Sequence, residues 1–302
     1  MFRPPEKLYP FESHWLDVAG IRMHYLDEGP RDAPVILMVH GNPTWSFYYR
    51  NLVLALRDRY RCIVPDHIGC GLSDKPSDAQ YTYTLGQRIS DLDALMEHLQ
   101  PTTPLHLIVH DWGGMIGFGW AKDRPRQIAS MVIANTAAFP LPAAKKLPSA
   151  LWLVRNTKLG AFLVQGLNAF SGLAARVAFK KPVSAEVRKA YTGPYDSWDN
   201  RIATLRFVQD IPLNKDDPGF KIVQATESRL ADFCDKPCLL AWGEKDFVFD
   251  LHFLNKWKEI FPQAKVLSYP DCGHYIFEDG GQPLTRAICD FLDGYDPGFK
   301  QD

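Results

Sequence analysis

The sequence lacks an excess of charge of either sign. Its 34 Lys and Arg stand against 35 Asp and Glu, a formal charge of -1 over 302 residues, and the absence of a long basic run removes the electrostatic case for nucleic acid. It also lacks an unbroken apolar run long enough to cross a bilayer. The most apolar stretch, SALWLVRNTKLGAFLVQGLNAF, is interrupted by Arg155 and Lys158; both are costly at a bilayer centre, and the stretch reads as a surface or cap helix. The first residues, MFRPPEKLYPFESHW, place prolines and charges where a secretory signal needs an apolar core, so a cytoplasmic protein is expected. Cysteines are few and scattered: Cys62, Cys70, Cys234, Cys238, Cys272 and Cys289. The close pair in CDKPC has no second pair to complete a zinc site, so all six read as reduced and mostly structural. No P-loop, dinucleotide fingerprint or metal-ligand cluster stands out, so neither cofactor nor metal is expected. Repeats and low-complexity tracts are absent too. What is left is chemistry on a small molecule.

With 46% hydrophobic residues, the chain can bury one large core with an inserted subdomain. Short apolar runs alternate with helical patterns: VILMV (35–39), CIVP (62–65), LHLIV (105–109), SMVIAN (130–135), CLLAW (238–242) and KVLSY (265–269). Such runs suit strands buried on both faces and predict a mostly parallel sheet flanked by helices. HWLDVAGIRMHYLDEG turns at Ala19-Gly20 and predicts an antiparallel edge hairpin. Leu85, Ile89, Leu92, Leu95, Met96 and Leu99 recur at three and four residues, one helical stripe to cover that sheet. After Asn135 the rhythm stops. Residues 139–228 are rich in aromatics, prolines and helical patterns, which predicts a helical cap between two parts of an α/β core, 1–138 and 229–302. A cap in that place covers the carboxyl ends of the strands, where open sheets bind ligands.

VHDWGG follows a strand and opens a helix, GGMIGFGWAKD, the context of a nucleophile elbow. Asp111 stands where a serine is usual, and Val109 replaces the first glycine of the motif; helix N-cap is the competing reading for Asp111. HGNPTW follows the strand VILMV, where this kind of fold places a second oxyanion donor. The backbone N–H groups of Asn42 and Trp112 are expected to converge on a developing oxyanion, with the Asn42 amide and Trp112 indole aimed at a leaving anion. His40 and His110 read as shaping the turns rather than as bases. GEKDFVFD and DCGHYIFED each follow a strand and bring Asp246 as the acid and His274 as the base, in the chain order nucleophile, acid, histidine. Asp250 is the rival acid, but its place before LHFLNKW suits an N-cap. Glu278 and Asp279 read as solvated loop charges.

Together HGNPTW, PDHIGCGLSDKP, VHDWGG, PYDSWDNRIATLRFVQDIP, WGEKDF and GHY resemble the haloalkane dehalogenase group of α/β-hydrolases over nearly the whole chain. HGNPTWSFYYRNLVLALRDRYRCIVPDHIGCGLSDKPSD and AFPLPAAKKLP resemble, more closely, the β-lactone decarboxylases of bacterial long-chain olefin biosynthesis within that group. The resemblance implies an α/β-hydrolase fold and a catalytic set of Asp111, His274 and Asp246, with Asn42 and Trp112 beside them. It implies conversion of cis-3,4-dialkyl-oxetan-2-ones to cis-alkenes and carbon dioxide. It further implies partner enzymes, the β-lactone synthetase and the ketone reductase of that pathway.

A carboxylate in the elbow suits displacement at sp³ carbon. In a dehalogenase, the resulting ester is hydrolysed by water that His274 deprotonates, Asp246 stabilising the imidazolium. A β-lactone offers two electrophiles, the ring carbon bearing oxygen and the carbonyl carbon, and the sequence leaves both open. Three rival readings compete. Alkyl halide hydrolysis needs only the same residues. Epoxide hydrolysis would recruit lid tyrosines, for which Tyr191 and Tyr195 are candidates, though both also read as lid packing. A non-enzymatic scaffold is disfavoured because every triad position holds a competent residue. Trp152, Val154, Phe162, Leu163, Phe170 and Phe207 supply more apolar surface than a two-carbon halide needs, as cavity wall for long alkyl chains or as lid core.

Overall fold

The computed structural model describes residues 2–295. Eight strands form one sheet: β1 (His14–Val18), β2 (Ile21–Glu28), β3 (Val35–Val39), β4 (Arg61–Pro65), β5 (Leu105–Asp111), β6 (Ile128–Thr136), β7 (Cys238–Gly243) and β8 (Lys265–Tyr269). Their order is β1-β2-β4-β3-β5-β6-β7-β8. β2 pairs antiparallel with both β1 and β4, and every later neighbour is parallel. The hairpin turn falls where expected, with Val18 opposite Ile21 and both Ala19 (φ 52°) and Gly20 (φ 85°) left-handed, the backbone a two-residue hairpin requires.

Strand periodicity divides the sheet into two apolar faces. Leu37, Val39, Leu107, Val109, Met131 and Leu240 pack on α2 (Leu85–Leu99), α3 (Trp112–Ala121) and Trp257 of the helix Leu251–Ile260. Their neighbours Ile36, Met38, Ile108, Val132 and Leu239 pack on α1 (Arg50–Leu56) and on Ile288 and Phe291 of the helix Gly281–Asp293. Val109, where the elbow motif has its first glycine, thus belongs to the apolar face and leaves the turn undisturbed. β8 departs from the expected double burial: it is the sheet edge, and Lys265 and Val266 are exposed. The α2 stripe is as expected, and Thr84 caps the helix by accepting the Gln87 N–H.

Between β6 and β7 lie α4 (Ser149–Asn156), α5 (Lys158–Leu167), α6 (Ala169–Val177), α7 (Ala185–Thr192), α8 (Ile202–Gln209) and α9 (Phe220–Arg229). The stretch SALWLVRNTKLGAFLVQGLNAF becomes α4 and α5, parted at Thr157, whose side chain caps α5 by accepting the Gly160 N–H. No helix among the described residues is long and apolar enough to cross a membrane. The inserted segment divides in two. α4, α5 and α8 share a small apolar cluster of Val154, Val164, Leu205 and Val208, whereas α9 packs against α3 with Val223 in the sheet's own core. The sheet layer therefore resumes at α9, before the apolar run of β7.

Candidate active site

Asp111 ends β5 with φ 52° and ψ -126°. A non-glycine residue held there is strained by about 1–3 kcal/mol, which is how an elbow projects a side chain beyond its strand. The neighbouring glycines make the room. A Cβ at Gly41 would lie 2.4 Å from the Asp111 Cβ, and one at Gly113 would lie 1.9 Å from the Val39 carbonyl oxygen. The N-cap alternative fails, because the Asp111 side chain accepts no N–H of α3. Its Oδ2 accepts the Asn42 backbone N–H at 2.9 Å instead.

The sequence-predicted residues meet at this point. His274 Nδ1 donates to Asp246 Oδ2 at 2.8 Å, and its Nε2 lies 3.6 Å from Asp111 Oδ2. Asp246 Oδ1 accepts the Val248 N–H. All three side chains are buried. Burial opposes a charge on His274, but Asp246 on one side and Asp111 on the other outweigh it and push its pKa up to about 10. His274 is therefore held as the imidazolium at neutral pH. Asn42 Nδ2 gives one N–H to the Thr204 carbonyl at 3.0 Å, which fixes the amide and leaves its second N–H to offer. Asn42, Asp111, Trp112 and His274 are the polar end of a cavity of about 390 Å³, otherwise lined by apolar residues such as Phe139, Leu151, Val164 and Phe249. The wall carries few other polar groups, Lys145 and Ser149 among them.

The alpha/beta hydrolase fold family matches residues 34–281. This chain belongs to that family. It is 53% identical to the cis-3-alkyl-4-alkyloxetan-2-one decarboxylase of Shewanella oneidensis over 95% of this chain and 90% of that one. The protein of the same name from Xanthomonas campestris pv. campestris is 49% identical over 94% of this chain and 97% of its own. Among solved structures, the haloalkane dehalogenase DbeA from Bradyrhizobium elkani superposes with a TM-score of 0.86 at 25% identity, covering 94% of this chain and 98% of that one.

In this α/β-hydrolase His40 and His110 hold backbone around the site rather than act as bases. His40 Nδ1 donates to the Gly41 carbonyl at 2.7 Å, and its Nε2 accepts the His67 N–H. His110 Nε2 donates to the carbonyl of His274 at 2.8 Å, fixing the backbone of that residue. Asp250 caps the helix Leu251–Ile260 by accepting the His252 N–H, and pairs with Lys145. Tyr191 donates to Glu278 at 2.5 Å and Tyr195 to the Thr44 carbonyl; neither lines the cavity, so the paired donors of an epoxide hydrolase are missing from it.

Glu278 and Asp279 correct the sequence reading: Asp279 is buried, and the side chain of Glu278 is only 7% exposed. Glu278 pairs with Arg50 and accepts the Tyr191 hydroxyl. Asp279 accepts the N–H groups of Lys180 (3.0 Å), Lys181 (2.9 Å) and Gly273 (2.8 Å). One carboxylate thus ties the chain entering α7 to the residue preceding His274. No local pattern announces this, since the donors from Lys180 and Lys181 come from far along the chain. Trp152 and Phe162 are corrected as well: both point to the exterior, while Val154, Leu163 and Phe170 do line the cavity.

Proposed function

We infer that this protein decarboxylates cis-3-alkyl-4-alkyl-oxetan-2-ones to cis-alkenes and carbon dioxide, with Asp111 as nucleophile. The observation that carries the reading is a carboxylate at the polar end of a long apolar cavity, beside a histidine that two carboxylates keep protonated. The identity to the two oxetanone decarboxylases supports the same substrate class. The Asn42 N–H is the donor an acyl-transfer site would offer to a carbonyl oxyanion, and here it is taken by Asp111 Oδ2. That favours attack by Oδ1 on the ring carbon bearing oxygen. The step forms an Asp111–carbon ester bond and breaks the ring C–O bond, whose electron pair leaves as a carboxylate, assisted by ring strain. The Asn42 amide and Trp112 indole receive that carboxylate.

The released carboxylate then departs as carbon dioxide. Its C–C bonding pair becomes the alkene π bond, and the Asp111–carbon bond breaks to regenerate the Asp111 carboxylate. Atoms and charge balance without water or cofactor. Inversion on attack followed by anti elimination keeps the two alkyl groups cis. His274 in this scheme is the cation that stabilises Asp111 as it leaves, with Asp246 holding the imidazolium in place. The cap, α4 to α8, supplies the wall for the alkyl chains and keeps water from the ester. Resemblance in sequence supports a place in long-chain olefin biosynthesis in the cytoplasm, beside the β-lactone synthetase and ketone reductase of that pathway.

Alkyl halide hydrolysis is the second reading, favoured by the same Asp111, Asn42 and Trp112 geometry and by the fold shared with DbeA. The two are separated by offering a long-chain cis-β-lactone and, separately, 1-bromobutane, and measuring alkene, alcohol and bromide. The lactone should give alkene with the larger kcat/KM. Faster bromide release, or a hydroxy acid as the only lactone product, would replace the decarboxylase reading with the dehalogenase one.

A further inference from the structure

The apolar cavity opens between α6 and the turn after β7. Leu173 and Val177, four residues apart on one face of α6, line it and are 52% and 39% exposed; Phe247, after β7, also lines it and is 47% exposed. The exposure continues over the neighbouring helices. Trp152 on α4 (54%), Leu159 (60%) and Phe162 (52%) on α5, and Trp198, whose ring lies 6.2 Å from that of Phe162, face outward. Seven of the thirteen large apolar side chains exposed among the described residues fall between positions 152 and 198. Contiguous exposure of this kind marks an interaction surface.

The charge of the same segment says what the surface meets. Residues 139–198, which include this surface, hold nine Lys and Arg and two acidic residues, Glu186 and Asp196, in a chain whose formal charge is -1. Lys158 precedes Leu159, and Arg176 and Lys180 flank Val177; all three cations are exposed. Apolar side chains interleaved with cations complement an anionic lipid surface, where the rings enter the headgroup region and the cations meet phosphate. We propose that the cap docks on an anionic lipid bilayer with the cavity mouth against it, so that a long-chain substrate enters, and its alkene leaves, without crossing water. The purpose of this surface rests on the proposed function; its test does not, because binding is read without turnover.

Vesicles of phosphatidylcholine alone, and of equal parts phosphatidylcholine and phosphatidylglycerol, are floated with the full chain at low and high salt. Binding should appear on the anionic vesicles, fall at high salt, and be at least about tenfold weaker on neutral ones. Trp152→Ser with Phe162→Ser, and separately Lys158→Glu with Arg176→Glu, should each lower binding about tenfold or more, while turnover of a short, soluble cis-β-lactone is unchanged. None of these four residues lines the cavity. The proposal is overturned by absence of binding to anionic vesicles, by equal binding to neutral ones, or by binding that both double variants retain. An oligomer that the variants dissolve into monomers, without vesicle binding in either form, would assign the surface to a second copy. Loss of lactone turnover in the wild type with vesicle binding intact would remove the proposed reaction and leave the lipid surface standing.

Discussion

Side chains on the central strands and on the cap helices meet different fates. Leu37, Leu107, Ile133 and Leu240 are completely buried between two helical layers, whereas Trp152, Leu159 and Phe162 of the cap stand half in solvent. The central strands draw on apolar neighbours above and below; α4 and α5 draw on the smaller cluster around Val154 and Val164. The cap meets the core through Ile202, Ala203 and Phe207 of α8 and Val187, Ala190 and Tyr191 of α7, and through polar joints as well. Trp45 Nε1 donates to the Ala190 carbonyl, Asn42 Nδ2 to that of Thr204, and Asp279 collects the N–H groups of Lys180 and Lys181. The sheet carries Asp111 at the end of β5 and Asp246 and His274 in the turns beyond β7 and β8, and the cap carries most of the cavity wall.

The sharpest test of this division is removal of a sheet-borne group that performs chemistry and no packing. Asp111→Ala should lower alkene formation by about 10⁴-fold or more with the thermal midpoint within a few degrees of wild type. Activity above a tenth of wild type would place the nucleophile elsewhere. His274→Gln comes next: with the cation gone, expulsion of Asp111 slows and an adduct on Asp111 accumulates, visible as a mass increase in the intact protein. Only unmodified protein after incubation with substrate would assign His274 to the attack itself. The wild-type rate has a matching pH dependence. Because Asp246 and Asp111 raise the pKa of His274 to about 10, the protonated form persists from neutral pH upward, and turnover should hold to about pH 9 and fall as pH rises through 10.

Much of the sheet and most of the triad were legible because they obey short-range rules. Strands buried on both faces are runs of Val, Ile and Leu, Ala19-Gly20 supplies the left-handed pair a hairpin needs, and the elbow shows as strand, Asp111, Gly113-Gly114, helix. What escaped depends on distance along the chain. Glu278 reads as a solvated acid until Arg50, 228 residues away, closes on it. Asp279 needs donors 98 and 99 residues off. Helical periodicity marks α9 as amphipathic but cannot say that α3, rather than the cap, covers it. The same holds for Trp152 and Phe162, since an apolar residue at helical spacing faces whatever the fold leaves beside it, and here that is solvent.

Those long-range carboxylates are the joints by which the cap and sheet can be uncoupled. Asp279→Ala would leave the N–H groups of Lys180, Lys181 and Gly273, the last of these in a buried bond, without their acceptor, at about 1–3 kcal/mol for such a loss. The urea midpoint should fall accordingly, and kcat should fall too, since Gly273 precedes His274. Asp279→Asn, which keeps one acceptor oxygen, should recover part of both. An unchanged kcat in the alanine variant would mean that the His274 loop holds its place without this clamp.

The smallest effect expected is at the other joint. Asp210 follows α8 and accepts the Leu85 N–H at 2.6 Å, tying the cap to the first turn of α2. Burial raises its pKa, against Arg88 and the Leu85 N–H, to about 6; Asp217 adds to the rise and Arg155 opposes it. A carboxyl with a folded pKa above its unfolded one binds its proton more tightly in the folded state, so this joint is weakest when ionised. Stability contributed by Asp210 should therefore rise as pH falls from 7 through 6, by about 1 kcal/mol at pH 5, opposite in sign to an acid held by an ion pair. Asp210→Asn removes the charge and keeps an acceptor for Leu85, so the variant should lack that rise. Urea midpoints of wild type and variant at pH 5, 6 and 7 decide it: converging curves on acidification support a strained ionised joint, and parallel curves would show that Arg88 and Arg155 already compensate the charge.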